Sequence, residues 1–130
     1  ARDDQGSVRT AEHLFMDGPE LFAFTLKRVA EVVRAALARA GTTMDAVDWF
    51  VFHQANAFMN DHLRAKLKIP REKAPLHLER YGNTVSSTIP IALREAGGAF
   101  RPGQQVMLVG FGVGYSWGAA MLEWGDVRLV

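Results

Sequence analysis

No cysteine occurs among the 130 residues of the chain. That excludes disulfides and thiolate metal sites, and any thiol chemistry the protein joins must use a sulfur from elsewhere. An excess of one charge is missing too. Fifteen Lys and Arg stand against fourteen Asp and Glu, a net charge of +1, so there is no basic stripe for nucleic acid and no acidic tail. No apolar run approaches the length of a membrane span. The first residues, Ala1-Arg2-Asp3-Asp4-Gln5, are polar and do not read as a signal peptide. Internal repeats and low-complexity tracts are absent. The expectation is a cytoplasmic protein that engages neither nucleic acid nor membrane. Its composition, 48% hydrophobic and 22% charged, is that of a globular domain long enough to bury a core.

Residues 1–10 read as a polar lead-in, and Glu12 to Met16 as a short strand. Asp17-Gly18-Pro19-Glu20 reads as a helix start: Asp17 caps, Pro19 fits the first turn and Glu20 follows the cap by three residues. Apolar residues recur at Phe22, Leu26, Val29, Val33, Leu37 and Ala40, a helical stripe that Gly41 ends. Asp48 to Phe52 is a compact apolar run that reads as a buried strand. Asn56 caps a helix to about Leu67, with Phe58, Met59, Leu63 and Leu67 inward and Pro70 as the stop. Leu76 to Glu79 reads as a weak strand, Gly82-Asn83 as a turn and Ser86 to Ala96 as a helix with Pro90 in or near its first turn. Gln105 to Phe111 is a second buried strand. Tyr115 to Trp124 is close enough in sequence to pair with it as a hairpin. Strands alternating with helices, then a hairpin, predict an α/β fold with a mixed β-sheet flanked by helices.

Within that pattern, His53 ends the strand in Phe52-His53-Gln54-Ala55-Asn56, and Asn83 follows thirty residues later in Tyr81-Gly82-Asn83-Thr84. Each has an ordinary reading, a core histidine or a turn asparagine. Both are expected at strand-to-helix junctions, where side chains reach a cleft. Together they offer two uncharged hydrogen-bond donors, as a site needs if it is to hold an enolate or oxyanion without protonating it early. The turn Phe111-Gly112-Val113-Gly114 adds backbone amides. Gly112, Gly114 and Gly118 do not read as a dinucleotide loop, because they lead into a strand near the C-terminus. Gly114-Tyr115-Ser116-Trp117-Gly118 fits a nucleophile elbow in letters only, since no histidine follows Ser116. His13, His53, His62 and His77 show no metal-ligand spacing. Arg64, Lys66, Lys68, Arg71 and Lys73 read equally as a solvated face or as a docking patch for an acidic partner.

Four blocks in order resemble the C-terminal half of a β-ketoacyl-acyl carrier protein synthase III, in the thiolase superfamily. They are Leu14 to Phe22, His53-Gln54-Ala55-Asn56, Gly82-Asn83-Thr84 with Ser87, Ile89-Pro90 and Ala92-Leu93, and Gly110 to Gly114 with Ser116 to Ala119. The resemblance makes residues 11–130 a thiolase-like half-domain, one half of an α-β-α-β-α sandwich. It implies a Cys-His-Asn triad whose cysteine comes from the N-terminal half, with His53 and Asn83 as the catalytic pair and Gln54 and Asn56 in support. Phe111 lines the pocket, and Gly112 and Val113 belong to the oxyanion loop. It further implies acyl-CoA and malonyl-acyl carrier protein as substrates, no cofactor and no metal, decarboxylative Claisen condensation as the reaction, and a homodimer. The missing cysteine fits a partial chain, a non-acylating subunit or a homologue that has lost its nucleophile. Val113 departs from the family's run of three glycines, which bears on substrate size. Acyl transfer or non-decarboxylating condensation on the same scaffold is the alternative activity, and a non-catalytic subunit that completes another chain is the alternative class.

Overall fold

The computed structural model describes residues 2, 6, 8, 10, 12 and 16–125. The strand expected over Glu12 to Met16 falls largely outside the described residues. Helix α1 (Gly18–Ala40) starts as its sequence dictates: the Asp17 carboxylate accepts from the Glu20 amide at 2.9 Å. Pro19 occupies the first turn, where its missing N–H costs nothing. Gly41 closes the helix at φ 63°, a conformation glycine adopts without strain, and its N–H donates to the Ala38 carbonyl.

Strand β1 (Trp49–Phe52) pairs in parallel with β2 (Gln105–Gly112), and β2 pairs antiparallel with β3 (Ser116–Glu123), giving a mixed sheet in the order β1-β2-β3. Side chains alternate across it, as strand geometry requires. Phe50, Phe52, Met107, Val109 and Phe111 face one core, shared with Val29, Val33 and Leu37 of α1 and with Met59 and Leu63 of α2 (Ala57–Lys66). Val51 and Val106 face the other, with Phe100, Trp124 and Ala92 of α4 (Thr88–Ala96). The result is three layers, α1 and α2 over the sheet and α4 beneath it.

Two expectations are corrected. Leu76 to Glu79 is not a strand: Leu78–Tyr81 forms the short helix α3, in which the amides of Arg80 and Tyr81 both donate to the His77 carbonyl. Leu76 and Leu78 mimic a two-residue period, but a segment this short does not discriminate strand from helix. Phe58 does not face inward. It is 64% exposed and stacks on Phe22 with ring centroids 5.4 Å apart. Helix α2 ends ahead of Pro70 by a left-handed turn at Lys68, φ 57°. Among the described residues no helix is long and apolar enough to cross a membrane.

Candidate active site

His53 follows β1 directly, and its backbone N–H donates to the Val109 carbonyl at 2.8 Å, carrying the β1–β2 ladder one residue further. Buried amide side chains close the corner that follows. Gln54, 3% exposed, donates to the Phe52 and Pro75 carbonyls at 2.9 and 3.4 Å and accepts from the His77 amide at 3.0 Å. Asn60 donates to the His53 carbonyl at 3.0 Å and accepts from the Ala55 amide at 3.2 Å. Asn56 caps α2 by accepting from the Met59 amide at 2.8 Å. Gln54 and Asn56 therefore fix the backbone on either side of this corner.

The imidazole of His53 is half-buried. Its Nδ1 lies 2.6 Å from the Thr88 hydroxyl oxygen, and the Phe111 ring stands edge-on to it at 5.2 Å between centroids. Burial holds its pKa below the ordinary 6.5, opposed in part by the backbone of Val85. The ring is thus neutral near pH 7.

Asn83 arrives differently from the junction expected. It lies between two helical segments, α3 and the 3₁₀ turn Val85–Ser87 that leads into α4, with no strand before it. Gly82 precedes it at φ 66° and ψ −161°, a region open essentially to glycine alone. The Asn83 side-chain oxygen accepts from the Val85 amide at 2.9 Å, a bond in which its NH₂ group takes no part. Val85 is 75% exposed and held at φ 56°, unusual for a β-branched residue. The Val85 carbonyl accepts from the Thr88 hydroxyl at 3.1 Å. Glu95 on α4 accepts from the Tyr81 hydroxyl and from Arg80, both at 2.9 Å, and so fastens α3 to α4. The Tyr81 hydroxyl, more than any other neighbour, holds the Glu95 carboxyl below its ordinary pKa.

His53 and Asn83 are therefore joined by a short relay: imidazole, Thr88 hydroxyl, Val85 backbone, carboxamide. Phe111 belongs to the same cluster. Gly112 pairs with Ser116 at the base of the β2–β3 turn, in open space. Val113 stands at the tip, 59% exposed. At Gly114, φ 136°, an added Cβ would meet the Ser116 hydroxyl at 2.8 Å. Sequence reasoning missed Thr88 and Asn60. The signal for Asn60 was a polar residue next to Met59 on the inward face of α2; nothing in the sequence marked Thr88. Of the expected basic patch, Arg64 and Arg71 both pair with Asp61, and Lys73 donates to the Val47 carbonyl at 2.7 Å. Among the described residues no group of three potential metal ligands occurs.

Residues 37–124 match the family described as 3-oxoacyl-[acyl-carrier-protein (ACP)] synthase III C terminal. The chain belongs to that family. It is 41% identical over 119 residues to the beta-ketoacyl-[acyl-carrier-protein] synthase III of Microcystis aeruginosa, covering 90% of this chain and 36% of that protein. It is 42% identical over 114 residues to the beta-ketoacyl-[acyl-carrier-protein] synthase III 2 of Deinococcus radiodurans, covering 86% and 34%. A crystal structure of a 3-oxoacyl-(acyl-carrier-protein) synthase III superposes with a TM-score of 0.89 at 48% identity, over 95% of this chain and 37% of that one. The thiolase-like half-domain expected from the sequence is the fold found, and the chain spans about a third of the length of the curated relatives it matches.

Proposed function

We propose that this chain is the C-terminal half of a β-ketoacyl-acyl carrier protein synthase III-like condensing enzyme, with His53 and Asn83 as its decarboxylation pair. The observation that carries the reading is the relay through Thr88 and Val85, which couples a neutral imidazole to a carboxamide beside the Phe111 wall.

A cysteine thiolate of the N-terminal half displaces CoA from an acyl-CoA and becomes acylated. Malonyl-acyl carrier protein then loses carbon dioxide. The electrons of the breaking C–C bond enter the thioester as an enolate, and His53 and Asn83 donate to its oxygen. A neutral imidazole and an untitratable amide stabilise that charge without readily quenching the carbanion. The carbanion attacks the acyl-cysteine carbonyl and expels the thiolate. The amides of the cysteine and of Val113 hold the tetrahedral oxyanion, and Phe111 keeps water from the acyl-enzyme. The N-terminal half, acyl carrier protein and a second copy of the whole protein are the partners in this reading. No cofactor takes part, and the compartment is the cytoplasm.

The test is malonyl-acyl carrier protein decarboxylation by the full-length protein and its His53→Ala variant. A loss on the order of 10²–10³-fold is expected for one missing oxyanion donor; an unchanged rate sinks the assignment. The Val113 side chain at the turn tip favours a second reading, acyl transfer or condensation without decarboxylation. Turnover of two acyl-CoAs with no malonyl donor would select it.

A further inference from the structure

The Asn83 carboxamide rides on a short bridge of backbone, and α4 holds both of its ends. At the far end the Val85 carbonyl accepts from the hydroxyl of Thr88, the first residue of α4. At the near end the holding residue is Glu95, seven positions further along α4 (95 − 88), about two turns. One Glu95 oxygen accepts from the Tyr81 hydroxyl at 2.9 Å and the other from Arg80 at 2.9 Å.

The near end has little else to fix it. Helix α3 is four residues long, too short to hold its shape unaided. None of those residues is buried, so core packing does not set its angle. Its start is tied to the histidine corner, where the His77 amide donates to Gln54. Its end runs into Gly82 at φ 66° and ψ −161°, and a glycine imposes no direction of its own on the chain that follows. The direction of Asn83 is thus inherited from Tyr81, and Tyr81 is placed by Glu95.

The two Glu95 bonds differ in weight. The Arg80 side chain is 71% exposed, and an ion pair in water adds little. Tyr81 is half-buried, and its ring turns on only two torsions. A hydroxyl donating to a carboxylate makes a charge-assisted bond. The same contact is the foremost reason that the Tyr81 pKa is raised and that of Glu95 lowered.

We propose that Glu95 is a positioning residue of the site: its carboxylate, through the Tyr81 hydroxyl, fixes where Gly82 releases the chain and so where the Asn83 carboxamide lies. The kinetic consequence rests on the condensing-enzyme reading above; the placement of Asn83 does not.

The experiment compares Tyr81→Phe, Glu95→Ala, Glu95→Gln and Arg80→Ala in the full-length protein, each with and without Asn83→Ala. It reads malonyl-thioester decarboxylation and the NMR resonances of the Asn83 NH₂ group. Tyr81→Phe and Glu95→Ala are expected to move those resonances and to lower kcat about tenfold, within the 10²-fold or so that a 1 Å misplacement costs. Glu95→Gln, which keeps an oxygen for Tyr81, should recover most of that loss. Arg80→Ala should cost about twofold or less. On top of Asn83→Ala, Tyr81→Phe should cost nothing more, because the group it positions is gone. Tyr81→Phe with wild-type Asn83 resonances overturns the proposal, even if Glu95→Ala fails to fold. So does a tenfold loss from Tyr81→Phe that persists in full beside Asn83→Ala, which would mark a general structural effect. If the Asn83 resonances move as expected but wild type decarboxylates no malonyl thioester, the positioning role stands and the condensing-enzyme reading falls.

Discussion

His53 leaves the sheet on a corner whose polar groups are tied to buried partners: its amide to Val109, its carbonyl to Asn60, and the following turn to Gln54. Asn83 sits on an exposed loop, with its oxygen on the next residue but one and its flanks fastened by Glu95 through the exposed Arg80 and the half-buried Tyr81. One side chain is positioned by the core and the other by local turn geometry. The first is hard to move without loss of stability. The second can be altered with the fold intact. Function and stability should accordingly come apart at Asn83 and stay coupled at His53.

The largest effect that sharpens this contrast is expected from Asn83→Ala. Malonyl decarboxylation by the full-length protein should fall about 10²–10³-fold, while urea unfolding shifts by no more than about 0.5 kcal/mol. A large loss of stability would erase the distinction between the two regions. Next comes Asn60→Leu, which strips partners from the His53 carbonyl and the Ala55 amide. Each orphaned buried group costs about 1–3 kcal/mol, so the midpoint in urea should fall clearly and activity with it.

A smaller effect separates the regions by pH. His53 has its pKa lowered by burial from 6.5, so between 6.5 and its folded value the unfolded chain binds more protons than the folded one. Stability contributed by the neutral ring is complete above 6.5 and declines as pH falls toward the folded value. The difference between wild type and His53→Gln in urea should shrink on acidification through that window. Asn83→Ala, with no titrating group, should track wild type. Smallest is Val85→Gly. Relief of the left-handed backbone, about 1–2 kcal/mol, is offset by glycine's larger unfolded entropy, about 0.5–1 kcal/mol. Thermal unfolding should therefore show a gain of under about 1.5 kcal/mol.

Much of this was legible in the chain. Local chemistry announces both ends of α1, because Asp17, Pro19 and Gly41 each answer a need of a helix terminus. The buried strands and the terminal hairpin follow from dense apolar runs separated by glycine turns. The histidine and asparagine blocks were readable because their flanking residues are as particular as they are. What stayed hidden depends on contacts across the sequence. Thr88 and His53 are 35 positions apart, and no local pattern tells a threonine at a helix start that its hydroxyl meets an imidazole. Phe58 failed for a related reason. Its spacing suits the inward stripe of α2, but its ring lies over Phe22 and His62 at the rim, where α1 ends the core. Leu78–Tyr81 was too short for periodicity to decide.

The turn at 112–115 is anchored apart from the histidine corner. Tyr115 stacks on Phe24 of α1 at 4.1 Å, whereas the side chain of Val113 is largely free. Residues at this tip can therefore be exchanged, one at a time, with the sheet undisturbed. Insertion of a single residue ahead of His53 has no such latitude, since it would send the imidazole to the opposite side of the sheet. Diversity among descendants of this scaffold is expected to collect in the hairpin, and conservatism at the corner.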